Sequence, residues 1–475
     1  MKIISSVVLS ILLLFPVHLT GEVKLSSIFG DNMVLQQNSN VQFFGTSSAG
    51  KKITCTSSWS NKKSTTQANK MGKWTMSIPT PVAGGPYNIS FDDGTKLVLS
   101  NILIGEVWFC SGQSNMEMPV KGFRGQPVFD SQKYIATANT KRQLRLFTVK
   151  NAWSTTLKDD GIEGCWAEAS SNVIADFSAA GFFFGDILQR TLDVPVGLIQ
   201  CAWSASKIEA WMSQETLSSF KDVELPDVSK KEFGWVAGTP TLLYNAMVNP
   251  WKGFPIKGVI WYQGEANSPN PELYRKLFPA MVKEWRTFFN NKDLPFYYVQ
   301  IAPWQSAGCD KTDWADFRQV QLELMNSLPN LGMVTTGDAG SIKFIHPPYK
   351  IKVGERLAYW ALANAYNHKG IQYSGPIYKD CKVKENGIVE VEFCYGDNGL
   401  IPENESIIGF EIAGADGKFV DANAEILNGT PKVKVWNDNV KKPVEVRYCY
   451  RNFKAGTLCN NAQIPASPFK AIIKQ

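Results

Sequence analysis

The 475-residue chain is 44% hydrophobic and 19% charged, too apolar to be disordered and long enough for two or three packed domains. Its formal charge of +6 is small for that length and holds no run of five or more like charges, which leaves no case for nucleic acid or an anionic membrane surface as a partner. With only three histidines and with nine cysteines that form no C-x-x-C pair, the chain argues against a histidine-rich metal centre, a zinc ribbon or a thioredoxin-type motif, so neither metal nor cofactor is expected.

Residues 1–21 begin Met1-Lys2, run through an apolar stretch from Ile3 to Pro16 and end in "VHLTG". That order matches the charged, apolar and polar regions of a signal peptide and is shorter than a membrane span. The expectation is an exported protein, secreted or periplasmic, with no membrane partner after cleavage. Some cysteines can then pair, with Cys449–Cys459 and Cys381–Cys394 as the expected bridges, and Asn88, Asn404 and Asn428 head glycosylation sequons.

Residues 22–103 read as a small β-sandwich, because short β-branched or alternating runs such as "VQFFGT", "KKITCTSS" and "KWTMSIP" are separated by Gly, Asn, Asp and Pro turns. From 104 to 370 the texture changes. Buried strands ("GEVWFC", "VPVGLIQCAW", "IKGVIWYQ", "LPFYYVQIAP", "LGMVTTGD") alternate with helical patterns ("DFSAAGFFFGDILQRTL", "PELYRKLFPAMVKEWRTFF", "DFRQVQLELMNSL", "VGERLAYWALANAY"). Such alternation implies right-handed crossovers and a parallel sheet covered on both faces, an α/β/α core. Residues 371–475 return to strand-and-turn texture, a second β domain. The oligomeric state is not legible in any of these patterns.

Parallel sheets hold ligands at the carboxyl ends of their strands, which singles out four loops. Ser111-Gly112-Gln113-Ser114-Asn115 follows the first core strand, Ser204-Ala205-Ser206 the second, and Gly264-Glu265-Ala266-Asn267 the third. Asp338 follows the last, with His346 eight residues further on. Ser114 at such a turn exposes its hydroxyl near a helix N-terminus, where backbone N–H groups can face an oxyanion; a serine needs a base to become nucleophilic. His346, in "IKFIHPPYK", is stiffened by two prolines and is the expected base, while His368 reads as a helix-end residue. An imidazole that titrates near its ordinary value of about 6.5 would set the acid limb of activity. Gln113, Gln263 and Asn267 are uncharged amides suited to an oxyanion hole, and Glu265 reads as an orienting residue rather than an acid.

"GEVWFCSGQSNMEMPV", "FSAAGFFFG", "GLIQCAWSASKIEAWM", "YNAMVNP", "GVIWYQGEAN", "HPPYKIKVGERLA" and "LCNNAQIPASPF" together resemble the sialate O-acetylesterases of the SGNH/GDSL-type hydrolase superfamily, over nearly the whole chain after residue 21. The resemblance implies an SGNH-like α/β/α core flanked by β domains, no metal, and removal of acetyl groups from O-acetylated sialic acid, or another acetylated glycan, through an acyl-serine at Ser114. Two departures stand out. The family usually has Gly-Gly-Thr where this chain has Ser204-Ala205-Ser206, and Asp where this chain has Phe344, two residues before His346. Asp338 is the expected substitute for that carboxylate; a Ser-His dyad, or a carbonyl oxygen on the ring nitrogen, is the alternative. An acetylxylan esterase, a non-catalytic glycan-binding relative and a glycosidase using Glu265 and Asp338 are the competing functions.

Overall fold

The computed structural model describes residues 22–60, 62–402 and 405–474. Residues 1–21, where a signal peptide is expected, and the sequon residue Asn404 lie outside the described residues, whereas Asn88 and Asn428 are both exposed.

The core is one mixed sheet. Its strands run in the order Trp166–Glu168, Leu144–Thr148, Val196–Ala202, Lys96–Gly112, Gly258–Tyr262, Phe296–Val299, Leu331–Val334. Every neighbouring pair is parallel except the edge pair Trp166–Glu168 with Leu144–Thr148, which is antiparallel. The sheet is therefore mixed and not purely parallel. After Lys96–Gly112 the chain builds one side of the sheet and then the other, so the strand order reverses beside that strand and opens a crevice at its carboxyl end.

Successive side chains of a strand point to opposite faces, and the aromatic contacts follow that rule. Trp108 meets Phe184 at 5.0 Å and Tyr297 at 5.9 Å, and Tyr297 meets Trp360 at 6.0 Å, all ring centroids. Its neighbour Phe109 meets Trp285 at 5.7 Å, and Tyr298 meets Phe278 at 4.8 Å. One face is thus covered by helices Ala179–Leu192 and Lys350–Asn364, the other by Pro271–Phe288. Burying rings of this size is worth about 4–6 kcal/mol each before entropy, which fixes the sheet against its helices. Helix starts follow the sequence: Ser178 Oγ accepts from Gly181 N at 3.0 Å, and Asn270 Oδ1 accepts from Leu273 N at 3.1 Å ahead of a first-turn Pro271.

The boundary expected at 103/104 falls inside the strand Lys96–Gly112. Its first part alternates in burial and belongs with the N-terminal strands Gly84–Asp92 and Val34–Gln36, which pair with it; from Ile102 onward every residue is buried. The C-terminal region contains two four-stranded antiparallel sheets. It is tied to the core by Thr335 Oγ1 donating to Pro465 O at 3.0 Å and by Trp314 N donating to Asn452 Oδ1 at 2.8 Å.

All nine cysteines are free thiols, so the expected bridges are not formed. The strand register explains one of them: Cys381 faces Val391 and Cys394 faces Ile377, which puts the two thiols at different levels of one ladder. Cys449 is buried against Tyr448, while the Cys459 thiol donates to Thr457 O. Among the described residues no helix is long and apolar enough to cross a membrane, and no three His, Cys, Asp or Glu side chains gather as a metal site.

Candidate active site

Ser114 opens a four-residue helix, Ser114–Glu117, directly beyond the central strand. Gly112 makes this turn possible: its φ is +141°, and a Cβ there would lie 2.1 Å from Tyr262 O. Gln113 N then donates to Tyr262 O at 3.0 Å, clipping the turn to the adjacent strand end. Ser114 is 7% exposed, and among the described residues its hydroxyl has no hydrogen-bond partner.

Asn115, fully buried, joins the strand-end loops. Its Nδ2 donates to Glu265 Oε1 at 2.6 Å and to Ile345 O at 3.1 Å, and its Oδ1 accepts from Lys350 Nζ at 2.6 Å. The residue after Ser114 therefore holds the residue before His346. Pro347 and Pro348 are buried, and Lys350 Nζ also donates to Pro347 O at 3.0 Å, so the histidine loop is stiff, as its prolines predict. Burial pushes Glu265 up and Lys350 down, each toward its neutral form, and Lys350 sits 5.4 Å from the centre of the Tyr262 ring. Glu265 is thus held by Asn115 beneath the loops that carry Ser114 and His346.

His346 is half-buried, its ring edge-on to Phe123 at 5.2 Å. Its Nδ1 lies 2.7 Å from Gln126 Oε1. Burial, reinforced by the Lys350 ammonium, lowers the imidazole to about 4, so the ordinary value expected from sequence does not hold here. Asp338 is not the ring's partner. Its carboxylate is gripped by Arg356 through two bonds of 2.7 and 2.8 Å and by Lys352 at 2.7 Å, cations that hold it below the usual carboxylate range against the opposing effect of burial.

Two of the expected oxyanion amides are tied into the scaffold. Gln263 Nε2 donates to Ser206 O at 3.1 Å and to Asn267 Oδ1 at 2.7 Å, while Asn267 Oδ1 also accepts from Ile208 N at 2.9 Å and its Nδ2 donates to Glu209 Oε2 at 2.8 Å. They fasten the Ser204–Ser206 turn to the third strand's loop and leave no free amide hydrogen on Gln263. Gln113 differs: its Oε1 accepts from Gly264 N and Ala266 N, both at 3.2 Å, which leaves its Nε2 uncommitted among the described residues. Ser204 gives both its N–H and its hydroxyl to Glu117 Oε2. Ala205 stands at φ +56°, the left-handed region where the resembled family has glycine, and among the described residues its N–H carries no hydrogen bond. The carboxyl end of the sheet thus carries a buried serine, a neutral imidazole and uncommitted N–H donors, residue types that acyl transfer uses, with no hydrogen bond between Ser114 Oγ and the His346 ring among the described residues.

A family model described as "Carbohydrate esterase, sialic acid-specific acetylesterase" matches residues 104–363, more than half of the chain. The chain belongs to that family. It is accordingly a carboxylic ester hydrolase of the carbohydrate-esterase class, and all the strand-end loops described above lie inside the matched span. A sialate O-acetylesterase of Mus musculus is 25% identical over 95% of this chain and 94% of its own length; that of Rattus norvegicus is 28% identical over 75% and 76%. The crystal structure of a carbohydrate acetylesterase from Xanthomonas citri superposes with a TM-score of 0.85 at 34% identity, covering 94% of this chain and 99% of that one.

Sequence reasoning missed Gln126, Lys350 and Glu117. Glu117 was within reach, as an acid three residues after the serine. Lys350 left a weaker signal as a lysine four residues after the histidine at a helix start. Gln126, 220 residues from His346 in a loop without periodicity, left none.

Proposed function

We propose that this protein removes O-acetyl groups from sialic acid by a serine-esterase mechanism. Ser114 Oγ attacks the acetyl carbonyl while His346 Nε2 takes its proton. The tetrahedral oxyanion is met by the N–H groups of Ser114 and Ala205 and by Gln113 Nε2. Collapse expels the sugar hydroxyl, protonated by His346, and leaves acetyl-Ser114. Water, deprotonated by the same ring, then releases acetate and regenerates the serine. The observation that carries this reading is the Asn115 side chain, which binds Ile345 O and thereby joins the serine turn to the histidine loop. We read residues 104–370 as an SGNH-like three-layer core between β-sandwich-type domains, and residues 1–21 as the export signal.

The similarity to a carbohydrate acetylesterase of unspecified glycan favours one second reading, a deacetylase of other sugars such as acetylated xylan. Acetate release from a panel of O-acetylated sialic acids and acetylated xylan separates the two; release from xylan alone would reject the first. The pH profile tests the base. Below its pKa the imidazole is already protonated and cannot accept the serine proton, so kcat/KM should rise with pH across about 4 and be level through the ordinary histidine range. A limb near 6.5, the unperturbed value of about that size, would remove His346 from this environment or from the role.

A further inference from the structure

We propose that Gln126 is the positioning residue of this esterase: its side-chain carbonyl receives the Nδ1 proton of His346, in the place where a serine hydrolase triad has a carboxylate. This rests on the reading of Ser114 and His346 above. An amide oxygen can only accept, so a 2.7 Å contact from Gln126 Oε1 to Nδ1 requires the proton on that nitrogen. Nε2 is then left with its lone pair, the form a general base must present to Ser114.

The loop that carries Gln126 is built against the histidine loop. Gly122 and Gly125 turn it at φ +81° and +74°, and Gln126 N closes the turn on Phe123 O at 2.9 Å. Phe123 packs edge-on against the His346 ring. Phe129 N donates to Pro348 O at 3.0 Å, and the Phe129 ring meets Tyr349 at 5.0 Å. Gln126 is therefore anchored on both sides of its side chain. The candidate carboxylate, Asp338, is held by Arg356 and Lys352, and the position where the resembled family has aspartate is Phe344, whose N–H donates to Ser341 Oγ.

A neutral partner has a chemical consequence. A carboxylate on Nδ1 stabilises the imidazolium and raises its pKa; an amide oxygen orients the ring without a countercharge. The charged groups around the ring add none. Lys350, from the helix beneath, repels a proton there; Glu265 reaches the ring's loop only through Asn115; and Arg124, exposed on the Gln126 loop, has no ion pair among the described residues. The ring therefore stays neutral in mildly acidic medium, so the base remains competent there.

Three variants and a spectrum test this. Gln126→Leu should lower kcat by about 10²-fold with KM changed less than about threefold, because the tautomer is no longer fixed. Gln126→Glu should restore a carboxylate partner and move the acid limb of kcat/KM upward by about one pH unit or more, a shift that a merely structural contact would not give. Nitrogen-15 spectra of histidine-labelled protein, assigned with His346→Ala, should show the resting His346 proton on Nδ1 and its pKa raised in Gln126→Glu. Leu retaining kcat within about threefold, a Glu variant with an unmoved limb, or a resting proton on Nε2 would each overturn the proposal. The spectrum reads the ring whether or not any acetyl ester turns over. A wild type inactive on all substrates but carrying the Nδ1 proton would defeat the functional reading and leave this contact standing.

Discussion

Two buried glutamates meet opposite fates in this molecule. Glu411, in the C-terminal sheet, is contacted by Arg447, Arg451 and Lys454, and those cations hold it down to about 2 against the opposing effect of its burial. Glu265, beneath the site, has one short bond from Asn115, an Oε2 without a partner, and Lys350 only at the far side of that amide; burial pushes it up. A carboxylate met by several cations is structural, fully ionised and inert. One met by amides and no direct ion pair is poorly compensated, and such groups collect where chemistry is done. Asp338 is of the first kind, which is why its place on a strand-end loop misleads.

The contrast can be broken by exchanging charge for amide at each position. Glu411→Gln should cost about 3 kcal/mol or more in denaturant unfolding, because three cations lose their common partner, while kcat/KM of the folded fraction stays within about twofold. The sign with pH follows: the folded pKa is depressed, so the contribution is present above the unfolded value and is lost as pH falls toward about 2. Glu265→Gln should do the reverse, lowering kcat about tenfold by loosening the Asn115–Lys350 floor, with a stability change under about 1 kcal/mol. Equal stability losses in the two variants would erase the distinction.

A smaller effect sharpens it. Asp338→Asn should leave kcat/KM within about threefold of wild type, since its partners are Arg356 and Lys352 and not the imidazole. A fall of about 10²-fold or more would return Asp338 to the triad.

How much was legible in sequence follows from how each feature is encoded. The strand-end loops that carry Ser114 and His346 were readable because buried strands announce themselves by composition, and the structure joins those loops through Asn115. The long strand Lys96–Gly112 hid the domain boundary, since its pattern passes from alternating to continuous burial without a turn between. Amides were read for their donors, yet Gln263 and Asn267 use theirs to lock loops together, a choice fixed only by three-dimensional neighbours. Asp338 is a carboxylate on a strand-end loop, which makes it the expected orienter, whereas Arg356, nearly two turns into the next helix, reaches it first. Gln126 comes to the ring from a loop with no local pattern to read.

The central claim is that Ser114 is the acyl-carrying nucleophile activated by His346. Fluorophosphonate labelling with peptide mass mapping tests it most directly. One adduct should form, on Ser114; it should be absent from Ser114→Ala and form at least about 10²-fold more slowly in His346→Ala, which keeps the hydroxyl but lacks the base. No adduct on a folded protein, or an adduct on another serine, would contradict the account.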